Sequence, residues 1–184
     1  MARTPSNMLA LGTKAPAFSL PDTLSGNTLS LDSLASDKAT LIMFICNHCP
    51  FVIHVLPELQ RLAADYQEKG ISIIAISSND VDNYPQDGPD KMKVLGEAQG
   101  WDFPYLYDES QEVARAYEAA CTPDFYLFDK DLSLVYRGQL DASRPGNQVA
   151  LNGEDLRAAL DAVLAGESVN ENQMPSLGCN IKWK

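Results

Sequence analysis

The chain has 184 residues, 45% hydrophobic and 21% charged, which is enough apolar material for one buried core and too much for a disordered segment. Its formal net charge of −11 argues against nucleic acid or an anionic membrane surface as the main partner, because phosphate binding needs basic patches. No apolar run approaches the ~20 residues that span a bilayer. The opening Met1-Ala-Arg-Thr-Pro-Ser-Asn has neither the apolar core nor the cleavage site of a signal peptide, so a cytoplasmic address is expected.

The first forty residues carry two short alternating pieces, near Phe18–Leu20 and Thr28–Leu31, with Ser25-Gly26-Asn27 as a hairpin turn between them. Leu41-Ile-Met-Phe-Ile45 is apolar without alternation, as in a strand covered on both faces. Val52, Val55, Leu56, Leu59, Leu62, Ala63 and Tyr66 then recur at helical spacing, leaving His54, Glu58, Arg61 and Asp65 on a polar face. On this reading His54 is solvated, with Glu58 four residues on, and has no role. Pro57 predicts a kink or a lost hydrogen bond, and Gly70 ends the helix. Ile71-Ser-Ile-Ile-Ala-Ile76 is a second buried strand, so strand, helix and strand form a βαβ unit with a parallel pair.

Asn79 to Pro89 is polar and reads as a surface loop. The acidic Asp80–Asp90 stretch lacks the regular ligand spacing and terminal Glu of a calcium loop, so it is expected to be solvated. A short helix over Lys91–Gln99, an extended Tyr105–Tyr107 and a helix over Ser110–Ala119 follow, with Ser110 as cap. Trp101 and Phe103 are packing residues or a groove wall. Phe125–Phe128 and Leu134–Tyr136 form an antiparallel hairpin through Asp129-Lys-Asp131. Glu154–Ala165 is the last helix, with Asn152 as cap and Gly166 as stop. The whole chain, 1–184, therefore reads as one α/β domain with a mixed sheet. Its aperiodic tail, 167–184, is expected to pack back through Ile181 and Trp183.

The four cysteines are Cys46, Cys49, Cys121 and Cys179, too few for a secreted disulfide scaffold. Cys46-Asn47-His48-Cys49 lies where a buried strand meets a helix. A thiolate at Cys46 would be stabilised there by unpaired N–H groups and the helix dipole, and Cys49, one turn on, would resolve the mixed disulfide. Pro50 fits the first helical turn. His48, if protonated, favours thiolate at Cys46 and makes the pair more oxidising. A metal site using Cys46 and Cys49 with His48, Cys121 or Cys179 is the alternative, but the later cysteines come singly and not as a second CxxC. No glycine-rich phosphate loop occurs, and no cofactor is implied.

The strand–CxxC–helix arrangement, followed by a Thr-Pro opening a strand, resembles the thioredoxin superfamily. More narrowly, Cys46-Asn47-His48-Cys49-Pro50-Phe51-Val52, the stretch Cys121-Thr122-Pro123-Asp124-Phe125-Tyr126-Leu127-Phe128-Asp129, the tail Gly178-Cys179-Asn180-Ile181-Lys182-Trp183 and the opening Leu11–Phe18 are similar to its peroxiredoxin-like subgroup, related to alkyl hydroperoxide reductase and thiol-specific antioxidant proteins. The resemblance implies a thioredoxin-like fold, a mixed β-sheet flanked by helices, with the hairpin as an N-terminal extension. It implies a cis Pro123 facing the dithiol and a Thr122 backbone able to pair with a bound peptide. Cys121 should then lie near the dithiol, either as an exchanging thiol or as an inert buried one. Cys179 reads as a peripheral thiol or a distant resolving one.

The chain departs from peroxiredoxins in one respect. Aligned on Cys49, their Thr position holds Cys46 and their Pro position Ile42; their Arg position, read back from Asp129, falls on Pro123. The expected activity is therefore thiol–disulfide exchange by Cys46 and Cys49 in an antioxidant role, with thiol peroxidase as the alternative. The partners are a protein or small-molecule disulfide or peroxide and an external reductant such as a thioredoxin or glutathione system.

Overall fold

The computed structural model describes residues 3–184. Its centre is a five-stranded sheet in the order β6-β5-β4-β8-β9. Strands β4 (Ala39–Phe44), β5 (Ile71–Ser77) and β6 (Tyr105–Tyr107) are parallel, while β8 (Asp124–Asp129) runs antiparallel to β4 and forms a hairpin with β9 (Leu134–Gly138). The lack of alternation in β4 has a direct cause: both faces are covered. Leu41 and Met43 face a core shared with α2 (Pro50–Gln67) and α5 (Glu154–Leu164), and Ile42 and Phe44 face a second core with α4 (Glu112–Ala116) and the N-terminal segment. The expected hairpin extension is present as β2 (Ser19–Pro21) paired with β3 (Thr28–Ser30). The short α1 (Leu31–Leu34) follows it, and α3 (Pro89–Gln99) precedes β6.

A small second sheet joins both ends of the chain to the site. In it β10 (Leu177–Asn180) lies between β1 (Arg3–Pro5) and β7 (Cys121–Thr122), all antiparallel. The aperiodic tail thus contains a strand. Ile181 is buried behind it, whereas Trp183 is exposed and carries the Arg115 guanidinium over its ring at 4.8 Å. Gly178 admits this strand. A Cβ there would strike the Thr122 carbonyl, so only glycine lets β10 come this close to β7.

Several local expectations are corrected. The helix expected over Ser110–Ala119 shrinks to Glu112–Ala116, because Gln111 and Glu118 take left-handed backbone angles (φ 65° and 53°). Gln111 is held so that its side-chain amide donates to the Ser78 and Lys182 carbonyls. Gly153, not Asn152, caps α5, while the Asn152 side chain accepts the Glu154 N–H beside it. Trp101 and Phe103 are buried and stacked, ring centroids 4.9 Å apart, and also line a groove with Leu24 and Leu29, so both readings of them hold.

Glu58 also departs from its expected place on the polar face. It is buried and receives Arg61 Nε at 2.7 Å and Arg157 Nε at 2.6 Å, the latter from α5. The pair therefore bridges α2 and α5. Truncation of Arg157 leaves a buried carboxylate with one exposed partner, so Arg157→Ala is expected to lower stability by about 2 kcal/mol. A fall in the urea midpoint at unchanged m-value would show it.

Candidate active site

The dithiol sits at the carboxyl end of β4, in the loop that turns into α2. The helix begins at Pro50, and Cys49 is its N-cap. Both cysteines therefore precede the helix, which corrects the expectation that its dipole acts on Cys46. The orphan N–H groups and the dipole act on Cys49 instead.

The two sulfurs share a hydrogen bond, and the charge divides accordingly. Cys49 is pushed down to about 5, first by the Cys46 hydrogen bond and further by Cys179 and the Val52 N–H, against the effect of burial. Cys46 is pushed well above the ordinary thiol range by the same bond with Cys49, by burial and by the nearby Asp87 charge. Of the two sulfurs, Cys49 is thus the one held low and Cys46 the one held high. Cys46 is also only 1% exposed, so the expectation of an open Cys46 is corrected. As a thiol, Cys49 donates to the Thr122 carbonyl at 3.3 Å, and Cys46 lies 3.5 Å from the Thr122 hydroxyl. The Thr122–Pro123 bond is cis, as the resemblance implied.

The main residue that sequence reasoning missed is Asp87. It belongs to the stretch expected to be solvated, yet it is 0% exposed. The turn at Pro85–Asp87 folds back onto the CxxC loop. There the Asp87 carboxylate accepts from the Asn47 N–H (2.8 Å), the His48 N–H (3.2 Å), the His48 ring (2.6 Å) and the Asn79 side-chain amide (2.8 Å). A carboxylate acceptor fixes the proton on His48 Nδ1, and the ring stacks on Tyr84 with centroids 5.6 Å apart. His48 is therefore an oriented part of the site and not a free turn residue. Asn47 is tied down as well, donating to the Gln86 carbonyl and accepting from the Tyr105 hydroxyl. No local pattern marks Asp87, because its partners in the CxxC loop lie about forty residues upstream.

Of the other cysteines, Cys121 is the buried thiol near the dithiol that was expected, and Cys179 is the one whose place is corrected. Cys121 is buried with its sulfur 3.8 Å from the Pro123 carbonyl, in an environment shaped by Asp124 and Ser6, and burial raises it far above the ordinary range. Cys179, expected to be peripheral, is buried in the same core as Cys46 and Cys49 and hydrogen-bonds with the Cys49 sulfur. The alignment of Cys179 opposite Thr122 in the small sheet puts it there.

His54 is corrected too. Its Nε2 lies 2.9 Å from the Ser143 hydroxyl, and it lines a groove with Phe51, Pro123, Phe125 and Arg144. This groove runs beside the cis proline. Among the described residues, the cluster able to offer three ligands to a metal is Cys46, His48 and Asp87, whose donor atoms lie within 4.8 Å of one another. Neither Cys121 nor Cys179 belongs to it.

Residues 11–137 match the AhpC/TSA family, more than half of the chain. The chain belongs to that family. A Mycobacterium tuberculosis relative that carries a provisional peroxiredoxin name, Rv2521, is 29% identical over 116 residues, covering 63% of this chain and 68% of its own. The thiol–disulfide oxidoreductase ResA of Bacillus anthracis is 28% identical over 127 residues, 69% of this chain and 68% of its own. A crystal structure of an uncharacterized conserved protein from Geobacillus kaustophilus superposes with TM-score 0.99 at 60% identity, over 100% of this chain and 97% of that one. The names of these relatives thus include both a peroxiredoxin and a thiol–disulfide oxidoreductase. Ile42 is buried in mid-strand and Pro123 is the cis proline, so neither offers a polar side chain beside Cys46 and Cys49.

Proposed function

We propose that the protein is a thiol–disulfide oxidoreductase cycling Cys46 and Cys49 between dithiol and disulfide. The observation that carries this reading is a pair of thiols sharing one hydrogen bond beside a cis proline, with Thr122 touching both sulfurs. The shared bond lets the Cys46 proton pass to Cys49 as substrate arrives. Cys46 thiolate then attacks a substrate disulfide, forming a mixed disulfide and releasing one thiolate. Cys49, deprotonated again, attacks Cys46 and releases the second, so the substrate gains two electrons and the enzyme becomes a disulfide. An external dithiol or glutathione system restores it, in a reducing compartment such as the cytoplasm. No helix among the described residues is long and apolar enough to cross a membrane. The groove of Phe51, His54 and Pro123 is the surface on which a disulfide-bearing chain would lie, with the Thr122 backbone beside it.

Equilibration with glutathione couples, followed by alkylation and peptide mapping, tests this reading. Cys46 and Cys49 are expected to oxidise together as one two-electron unit; if both stay alkylatable at oxidising poise, the assignment is wrong. The pH dependence is a second check. With Cys49 at about 5 and Cys46 raised, the reduced pair binds one proton from just above pH 5 through neutrality. The midpoint potential is then expected to fall by about 30 mV per pH unit across that window and by about 59 mV below it. Because the native Cys49 value is depressed from 9.0, the reduced fold binds fewer protons than the unfolded chain between about 5 and 9. From this group the reduced protein accordingly gains stability as pH rises through that window and loses it toward pH 5. The disulfide form lacks this contribution.

A further inference from the structure

We propose that Cys179 is a third exchanging thiol, which attacks Cys49 in the oxidised enzyme to form a Cys49–Cys179 disulfide and return Cys46 as a thiol. The inference rests on the dithiol reading above. In this step the Cys46–Cys49 bond breaks and the Cys49–Cys179 bond forms. The proton leaving Cys179 ends on Cys46, no electron enters or leaves, and no outside reactant is needed.

Three observations place the attacking sulfur. Cys46, Cys49 and Cys179 lie in one continuous buried core, with Cys179 hydrogen-bonded to Cys49, the sulfur it would attack. The strand pairing sets Cys179 opposite Thr122, which itself contacts both other sulfurs. Gly178 is the only residue type that lets this strand approach so closely, since any Cβ would meet the Thr122 carbonyl. Cys121, although only two residues from Pro123, faces Pro123 O and stays outside the cluster.

The electrostatics favour the step after oxidation and not before it. In the reduced protein, burial holds Cys179 up at about 12, and the hydrogen bond and negative charge of Cys49 add to this. Once Cys49 enters a disulfide its charge is gone and both of those contributions vanish, while the Lys182 ammonium still favours the Cys179 thiolate. Oxidation of the pair thus brings the third thiol down from that position, while burial, the largest cause, still holds it above the ordinary range. Asp87 favours the proton on the departing Cys46.

The test is disulfide mapping of oxidised protein. In wild type, both Cys46–Cys49 and Cys49–Cys179 linked peptides are expected, with at least a tenth of Cys46 becoming alkylatable again and Cys121 remaining a thiol throughout. Cys179→Ser is expected to abolish that recovered Cys46 alkylation, and Cys46→Ser treated with diamide to give the Cys49–Cys179 link alone. Wild type carrying only the Cys46–Cys49 link, with Cys179 fully alkylatable, overturns the relay while leaving the dithiol reading intact. Absence of the Cys46–Cys49 link in wild type would instead count against the dithiol reading. The wild-type map decides the matter even if Cys46→Ser does not fold.

Discussion

Cys46→Ser is expected to lower turnover of a model disulfide at least about a thousandfold, because the mixed disulfide with substrate forms at that sulfur. Cys49→Ser is expected to behave differently. It removes the resolving thiol, so the Cys46 mixed disulfide accumulates instead of turning over. It also removes the acceptor of the Cys46 proton, and Asp87 and burial still hold that thiol high. Trapping should therefore be slow at pH 7 and speed up steadily with rising pH, whereas wild-type attack should be nearly flat above pH 6. Mass spectrometry of the variant with a disulfide peptide measures both adduct and rate. Equal turnover in Cys46→Ser and wild type would remove Cys46 from the chemistry.

The second large effect belongs to Asp87. The reduced pair carries one negative charge and the disulfide none, so a buried carboxylate beside Cys46 disfavours the reduced state. Asp87→Asn keeps the shape and an acceptor for the Asn47 and His48 N–H groups but removes the charge. The Cys46 thiol should become more acidic and the midpoint potential should rise by about 30–60 mV, which is 10- to 100-fold in the equilibrium with glutathione. Asp87→Ala should add a fold defect of about 3 kcal/mol, since it leaves two backbone donors and the Asn79 amide unpaired in the interior. His48→Ala with an unchanged potential would restrict the tuning to Asp87. A potential unmoved by Asp87→Asn would show that the carboxylate serves only to fasten the loop.

Much of the fold is legible in local pattern. The unalternating run at Leu41–Ile45 and the 3.6-residue spacing from Val52 to Tyr66 report burial on two faces and on one, and the structure has β4 and α2 there. The Cys46–Cys49 motif likewise reads directly, because spacing alone brings those sulfurs together. What sequence reasoning does not reach is whatever depends on a distant partner. Glu58 looks like a surface residue until Arg157, 99 positions on, reaches it. Asp87 looks like one more acidic loop residue until a turn lays it under His48. Cys179 sits in a tail with no periodicity, and only strand pairing with Thr122 reveals where its sulfur goes. The lowering of Cys49 comes first from its bond with Cys46, and one residue of register adds to it: a helix starting at Pro50 makes Cys49 the cap and aims the Val52 N–H at it.

The pairing of β10 between β1 and β7 also bears on how the molecule is handled. Trimming the polypeptide before residue 177 would not yield a shorter version of the same catalyst. It would strip away the strand that walls in the dithiol and leave Thr122 O facing solvent. Tags appended after Lys184 are safer, because Lys182 and Lys184 already leave the sheet behind and anchor onto the Asn79 and Gln111 side chains.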